Sequence, residues 1–138
     1  MEIDPAALSP AERYKLLIGC IVPRPIAVVS TVSLGKRFNL APYSFFNGIG
    51  SNPMSLLFCP SNKPDGSEKD SLRNAKRKEE GGTGDFVVNV ATEDQIKRIV
   101  AASEPLDYGE SEFELACLTP VASTIASSGT SSGSCSGS

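Results

Sequence analysis

The chain has 138 residues, with 13 Lys and Arg against 16 Asp and Glu, no histidine and a net charge of −3 at pH 7. That length fits one domain able to bury about 68–70% of its unfolded surface, and the charge provides no basic field for nucleic acid. The lack of histidine removes the commonest metal ligand and general base, and no apolar run approaches the ~20 residues of a membrane-spanning helix.

The opening Met1–Pro10 is acidic and lacks the basic and apolar regions of a secretory signal, so a cytoplasmic location is expected. Ser9, Pro10 and Glu12 predict a helix start. Ser9 would be the N-cap, Pro10 the first helical residue and Glu12 the third, which completes a capping box. Tyr14, Leu16, Leu17 and Ile18 would form its apolar side, and Gly19 could stop it. Pro23 and Pro25 keep Ile21–Pro25 out of any helix interior. Arg24 between them reads either as a solvated turn residue or as a contact to an anion or a ring.

Ile26–Val32 predicts a strand by its β-branched content. A turn at Ser33–Lys36 is too short for a parallel crossover, so the return from Arg37 to Phe46 predicts an antiparallel hairpin. Gly48, Gly50, Ser51, Asn52 and Pro53 are expected to break the chain before a third strand, Met54–Cys59. The near-continuous apolar character of that strand predicts burial on both faces.

A turn-rich loop, Pro60–Ser67, precedes a charged helix over Lys69–Glu80 with only Leu72 and Ala75 to bury. Gly81–Gly84 ends it. Asp85–Ala91 predicts another strand, and Thr92 is expected to cap a helix from Glu93 to about Ala102. Ser103–Ser111 reads as a loop, and Phe113–Leu118 as a last apolar patch ending at Thr119-Pro120. The composition then turns to Ser and Gly. The expected organisation is a lead-in over 1–13, a folded domain over 14–121 and a disordered tail over 122–138. Strands outnumber helices and their links are short, which fits an antiparallel sheet or barrel with peripheral helices. Cys20, Cys59, Cys117 and Cys135 form no CxxC pair and no zinc spacing. The first three sit among apolar residues and read as small buried hydrophobes. No metal site and no catalytic side chain are expected.

Asn39–Asn47 (NLAPYSFFN) mixes strand formers with a proline, two adjacent aromatics and small polar side chains. It reads as a half-buried strand at an edge or bulge, or as a segment lining a pocket for a planar, partly polar ligand. Lys69-Asp70-Ser71 reads as a capped helix start, or as a phosphate site with a cation and a hydroxyl near free N–H groups. With Val29-Ser30-Thr31, these segments can converge in a barrel. There is no GxGxxG and no GxxxxGK[ST], so neither a dinucleotide-fold fingerprint nor a P-loop is present.

RPIAVVST (24–31), NLAPYSFFN (39–47), NP (52–53), KDSLRN (69–74), GDFVVNV (84–90) and FELACLTPV (113–121) occur in that order. In content and spacing they resemble the flavin reductase-like, FMN-binding split-barrel family, over about 14–121. The resemblance implies a mainly β fold, an antiparallel split β-barrel with peripheral helices, working as a homodimer with non-covalent FMN near the subunit interface. It implies FMN contacts from Ser30, Thr31, Ala41, Ser44, Phe45, Phe46, Asn47, Lys69, Asp70, Ser71 and Asn74. It further implies hydride transfer from NADH or NADPH to flavin, in some members to supply a monooxygenase. The chemistry then belongs to the flavin, and the protein contributes orientation and electrostatics. In the family further strands follow the LTPV position and close the barrel. A C-terminally truncated FMN-binding module, impaired or inactive, that pairs with a full-length relative is therefore the alternative expectation. A heme- or pyridoxal-phosphate-linked split barrel is a third, and the lack of histidine argues against ordinary heme ligation.

Overall fold

The computed structural model describes residues 2–107, 110–124 and 130–132. Helix α1 (Pro10–Cys20) starts as its local chemistry dictates: the Ser9 hydroxyl accepts from the Glu12 N–H, and the Glu12 carboxylate accepts from the Ser9 N–H. It runs through Gly19. Its end is set instead by Arg24, whose Nη1 donates to the carbonyls of Ile18 (2.7 Å) and Ile21 (3.3 Å). Arg24 is thus neither a solvated turn residue nor a free cation, because the last carbonyls of a helix need donors and the Pro23–Pro25 segment delivers one. None of the α1 residues is fully buried; Tyr14 and Leu17 are exposed, while Leu16 and Ile18 are half-buried.

Strands β1 (Ala27–Val32), β2 (Phe38–Tyr43) and β5 (Phe86–Val90) form an antiparallel sheet in the order β2-β1-β5. The β1–β2 hairpin pairs Ser30 with Leu40 and Thr31 with Asn39. All six β1 residues are buried, since the strand is central and both sheet faces are covered. On one face Val28 and Leu40 pack with Ile99, Ala102, Phe113, Ala116 and Leu118, from and around helices α3 (Ile96–Ala101) and α4 (Glu112–Leu115). On the other, Ala27, Val29 and Tyr43 pack with Ala41, Phe46, Phe58 and Val88. The two sets alternate along the strands with a period of two.

Phe46–Ser51 is a strand, β3, and not the break expected from its glycines. It pairs with β4 (Met54–Phe58) through an irregularity between Gly48 and Gly50, a bulge being where glycine suits a strand. Strand β4 is only half-buried, with Met54 89% exposed, because this two-stranded ribbon has a covered face only near Phe46 and Phe58. The expectation of burial on both faces is therefore corrected.

The charged helix is short: α2 spans Asp70–Ala75, and a separate single turn covers Lys78–Glu80. Gly82 then tucks against the Lys76 backbone so closely that any side chain there would collide with it. The buried residues of α2 are Ser71 and Asn74, not Leu72 and Ala75. Thr92 makes no side-chain cap; one turn at Glu93–Gln95 leads into α3.

Strands β6 (Thr119–Val121) and β7 (Thr130–Ser132) pair antiparallel. Three residues of the segment expected as a tail thus lie in a strand. Residues 125–129 and 133–138 lie outside the described residues, as do Cys135 and positions 108–109 of the expected loop. Cys20, Cys59 and Cys117 are exposed, form no disulfide among the described residues and are not core residues. Each ends or follows an element at the surface: the last turn of α1, the end of β4, and a left-handed turn (φ 51°) after α4. Among the described residues no helix is long and apolar enough to cross a membrane.

Candidate functional site

Strand β2 carries Asn39, Ala41 and Tyr43 on one face, by simple alternation. Helix α2 crosses that face and is tied to it by two buried side-chain hydrogen bonds. Asn39 Nδ2 donates to Ser71 Oγ at 2.8 Å, and Asn74 Nδ2 donates to Thr31 Oγ1 at 3.0 Å. These bonds explain why a helix with little apolar surface buries its polar side: the sheet face beneath it presents a hydroxyl and an amide that need partners.

Beside this junction is a cavity of about 190 Å³, with Tyr43, Lys63, Lys69, Asp70, Ser71 and Glu112 among its walls. A second hollow of about 310 Å³ shares Asn39 and Asp70 with it and reaches Arg37 and Asn74. The charges around the cavity are unequally spent. Lys63 Nζ stands 4.0 Å from Asp70 Oδ1. Glu112 accepts from the Leu40 N–H at 3.1 Å, so it caps the open edge of β2, while the neighbouring Ser111 hydroxyl donates to the Phe38 carbonyl at 2.8 Å. Lys69 alone among these cations has no ion pair or side-chain hydrogen bond among the described residues; its ammonium lies 5.7 Å from the centre of the Tyr43 ring. Among the described residues the buried Asp70 Oδ1 accepts no hydrogen bond.

Burial pushes the Tyr43 phenol up to about 12, with the Ser71 hydroxyl acting the other way and Glu112 and Asp70 adding to the rise. Tyr43 is therefore a neutral phenol at physiological pH. Burial also raises the Glu112 carboxyl above its ordinary 4.5, opposed by the Leu40 N–H. A folded-state value above the unfolded one stabilises the fold fully at low pH and loses that contribution as pH rises through the raised value. Glu112→Gln keeps an acceptor for Leu40 and carries no charge. It is expected to gain stability relative to the unmodified chain as pH rises above about 4.5. Melting curves from about pH 4 to about pH 8 check this; a constant gap across the range would mean that burial does not perturb Glu112.

The cavity gathers Ala41, Lys69, Asp70 and Ser71 from the residues singled out in the sequence. Asn74 lines the second hollow and holds Thr31. Ser30 and Thr31, adjacent on β1, point to opposite faces of the sheet, and both are fully buried. Thr31 lies under α2, whereas Ser30 lies beside Asn89, which donates to the Val28 carbonyl. Ser44 and Phe45 occupy the bend between β2 and β3; the Phe45 ring meets Tyr14 edge-on at 6.0 Å. Phe46 packs in the second core cluster, and Asn47 is exposed on β3. None of Ser44, Phe45, Phe46 and Asn47 is among the residues lining either hollow. Sequence reasoning missed Tyr43, Lys63 and Glu112. The alternation 39, 41, 43 was a usable signal for Tyr43; for Lys63 and Glu112, in a loop and a four-residue helix, there was none.

An antiparallel sheet with two separate strand pairs, peripheral helices and a polar cavity at one helix–sheet junction is the arrangement this chain shares with the split-barrel flavin reductases. The chain belongs to the flavin reductase like domain family, whose model matches residues 18–132. It is 41% identical over 127 residues to the protein BH2278 of Halalkalibacterium halodurans, covering 92% of this chain and 58% of that protein. It is 42% identical over 120 residues to YwrF of Bacillus subtilis, covering 87% and 56%. Among solved structures, nitrilotriacetate monooxygenase component B from Bacillus cereus superposes with a TM-score of 0.84 at 37% identity, over 95% of this chain and 62% of that one. Flavoredoxin of Desulfovibrio vulgaris, at 18% identity and a TM-score of 0.67, covers 95% and 61% and shares the fold. The chain spans about half the length of the curated relatives it matches. The described residues form three sheets and no closed barrel.

Proposed function

We propose that this chain binds FMN non-covalently and serves as a flavin reductase-like oxidoreductase, taking hydride from NADH or NADPH. The observation that carries this reading is the Lys69 ammonium, without an ion pair among the described residues, at a cavity that also presents Ser71 and a buried Asp70 oxygen accepting no hydrogen bond. An unspent cation beside a hydroxyl suits a phosphate monoester, and the Asp70 oxygen suits a ligand with a further donor group. The residues present therefore fit FMN. Family membership and the likeness to a monooxygenase component support the same reading.

Lys69 would neutralise the phosphate. Asp70 stands by Lys63 and Glu112 holds the Leu40 N–H, so in a wall that also carries Glu104 the Lys69 ammonium is the cation left to meet the phosphate. Asn39, Ser71, Asn74 and Thr31 would hold α2 in place. Ser30 would support the sheet from its opposite face, and Ala41 would face the ring from the cavity wall, while Ser44, Phe45, Phe46 and Asn47, outside both hollows, would meet only the part of the flavin that extends toward the β2–β3 bend. Bound flavin supplies the hydride-accepting ring, so no side chain of this chain need exchange a proton with the substrate. In this reading the protein acts as a cytoplasmic homodimer and its reduced flavin can supply a monooxygenase.

Titrating the purified chain with FMN, followed by flavin fluorescence and a thermal melt, tests the reading. Uptake with a raised melting temperature is expected; a chain that ignores FMN while folded would sink it. One observation favours a second reading, an FMN-binding module without turnover that pairs with a full-length relative: Met54 on β4 and Val90 on β5 lie 89% and 84% exposed, apolar surface that such a pairing would cover. Following NADH absorbance at about 340 nm with FMN present separates the two, since the module binds FMN but leaves NADH unconsumed.

A further inference from the structure

We propose that the ring of Tyr43 is the seat that holds the Lys69 ammonium at the cavity, so that Tyr43 sets the protein's preference for a phosphorylated flavin over its dephosphorylated form. This rests on the FMN reading above and adds to it a positioning residue.

A lysine side chain has four rotatable carbons, and an unpaired ammonium at a surface samples many positions. Here the ammonium lies 5.7 Å from the Tyr43 ring centre, within the ~6 Å over which an aromatic face attracts a cation. Among the described residues it has no carboxylate partner. Asp70, its neighbour in sequence, stands instead by Lys63. The ring therefore localises the charge without cancelling it, which a carboxylate could not do.

Tyr43 can serve as a fixed seat because it is itself held. It is 5% exposed, packs on Ala27 and Val29, and meets the Phe58 ring at 5.4 Å. Its register opposite Ala27 places it at the end of β2, on the face crossed by α2. Lys69 is the residue immediately before α2, and its backbone is pinned by the bonds that tie Ser71 to Asn39 and Asn74 to Thr31. Both ends of the pair are thus anchored to one sheet face. The anion completing the site would meet a charge already in position, and pre-organisation of that kind raises affinity by removing an ordering cost.

The test compares FMN with riboflavin, which lacks the phosphate, by equilibrium titration of the full chain and its variants. The unmodified chain should bind FMN more tightly than riboflavin, and Lys69→Ala should abolish the difference. Tyr43→Leu should weaken FMN by about 3- to 10-fold and leave riboflavin unchanged. Tyr43→Phe keeps the ring face and should restore FMN affinity to within about 2-fold of the unmodified chain. Added to Lys69→Ala, Tyr43→Leu should cost nothing more. Should Tyr43→Leu unfold, Tyr43→Met fills the same space without a ring and replaces it. If Tyr43→Leu or Tyr43→Met weakens both ligands equally, Tyr43 is only a core residue and the proposal falls while the FMN reading stands. Equal binding of FMN and riboflavin by the unmodified chain also overturns it. If that chain binds neither, the FMN reading itself falls, and the proposal with it.

Discussion

Phe113→Ala should lower the stability of the chain by about 3–5 kcal/mol, the range for truncating a buried aromatic. Phe113 is 2% exposed and sits in the cluster that covers the α3/α4 face of the sheet. Its ring meets Phe38 edge-on at 6.2 Å, on the strand that carries Asn39, Ala41 and Tyr43. Its neighbour Glu112 holds the Leu40 N–H at the edge of the same strand. Removing the ring would open a cavity beneath β2 and loosen the only side chain capping that N–H among the described residues. For a domain with the usual 5–15 kcal/mol of stability this is a large share. Urea unfolding with an unchanged slope would measure it; a loss under about 1 kcal/mol would mean that this face of the sheet collapses around the gap.

Asn74→Ala should cost about 1–3 kcal/mol, because it leaves the fully buried Thr31 hydroxyl without its donor. The Asn74 carbonyl also accepts from the Thr83 N–H and hydroxyl. Those bonds use the backbone and survive the substitution, so the loss reports the Thr31 contact. Thr31→Val should be partly redundant with it. The double variant should lose less than the sum of the two single ones, since both delete one bond. Full additivity would show that the two side chains do not depend on each other. In the FMN reading proposed above, Asn74→Ala should also weaken FMN binding, because α2 positions Lys69, the residue just before it, in the cavity wall.

Much of the architecture was legible in local chemistry. Ser9, Pro10 and Glu12 specify the start of α1, since a capping box is satisfied within four residues. The β-branched run around Val28–Val32 and the short turn after it specify a hairpin. That the segments holding Ala41, Lys69, Asp70 and Ser71 can converge was read from the barrel-like arrangement of the elements, and the family resemblance implied a shared ligand for them. Where the reading went astray, long-range contacts had overruled composition. Ser71 and Asn74 are polar yet buried, because Asn39 and Thr31 wait beneath them. Met54–Phe58 is apolar yet half-exposed, because a two-stranded ribbon has too few neighbours to cover it. Ser71 was expected at an open helix start; at 1% exposed, it serves the fold before any ligand.

Residue type and spacing were enough to dictate which stretches become strand or helix and where α1 begins, because caps, turns and alternation act between near neighbours. They could not dictate which cation stays unpaired. That outcome belongs to the packed molecule: Asp70 stands by Lys63 from the loop that leads into α2, Glu112 turns to the edge of β2, and Lys69 is left over a buried ring. Electrostatic pairing depends on distances in space, and those arise only once the sheet has folded against its helices.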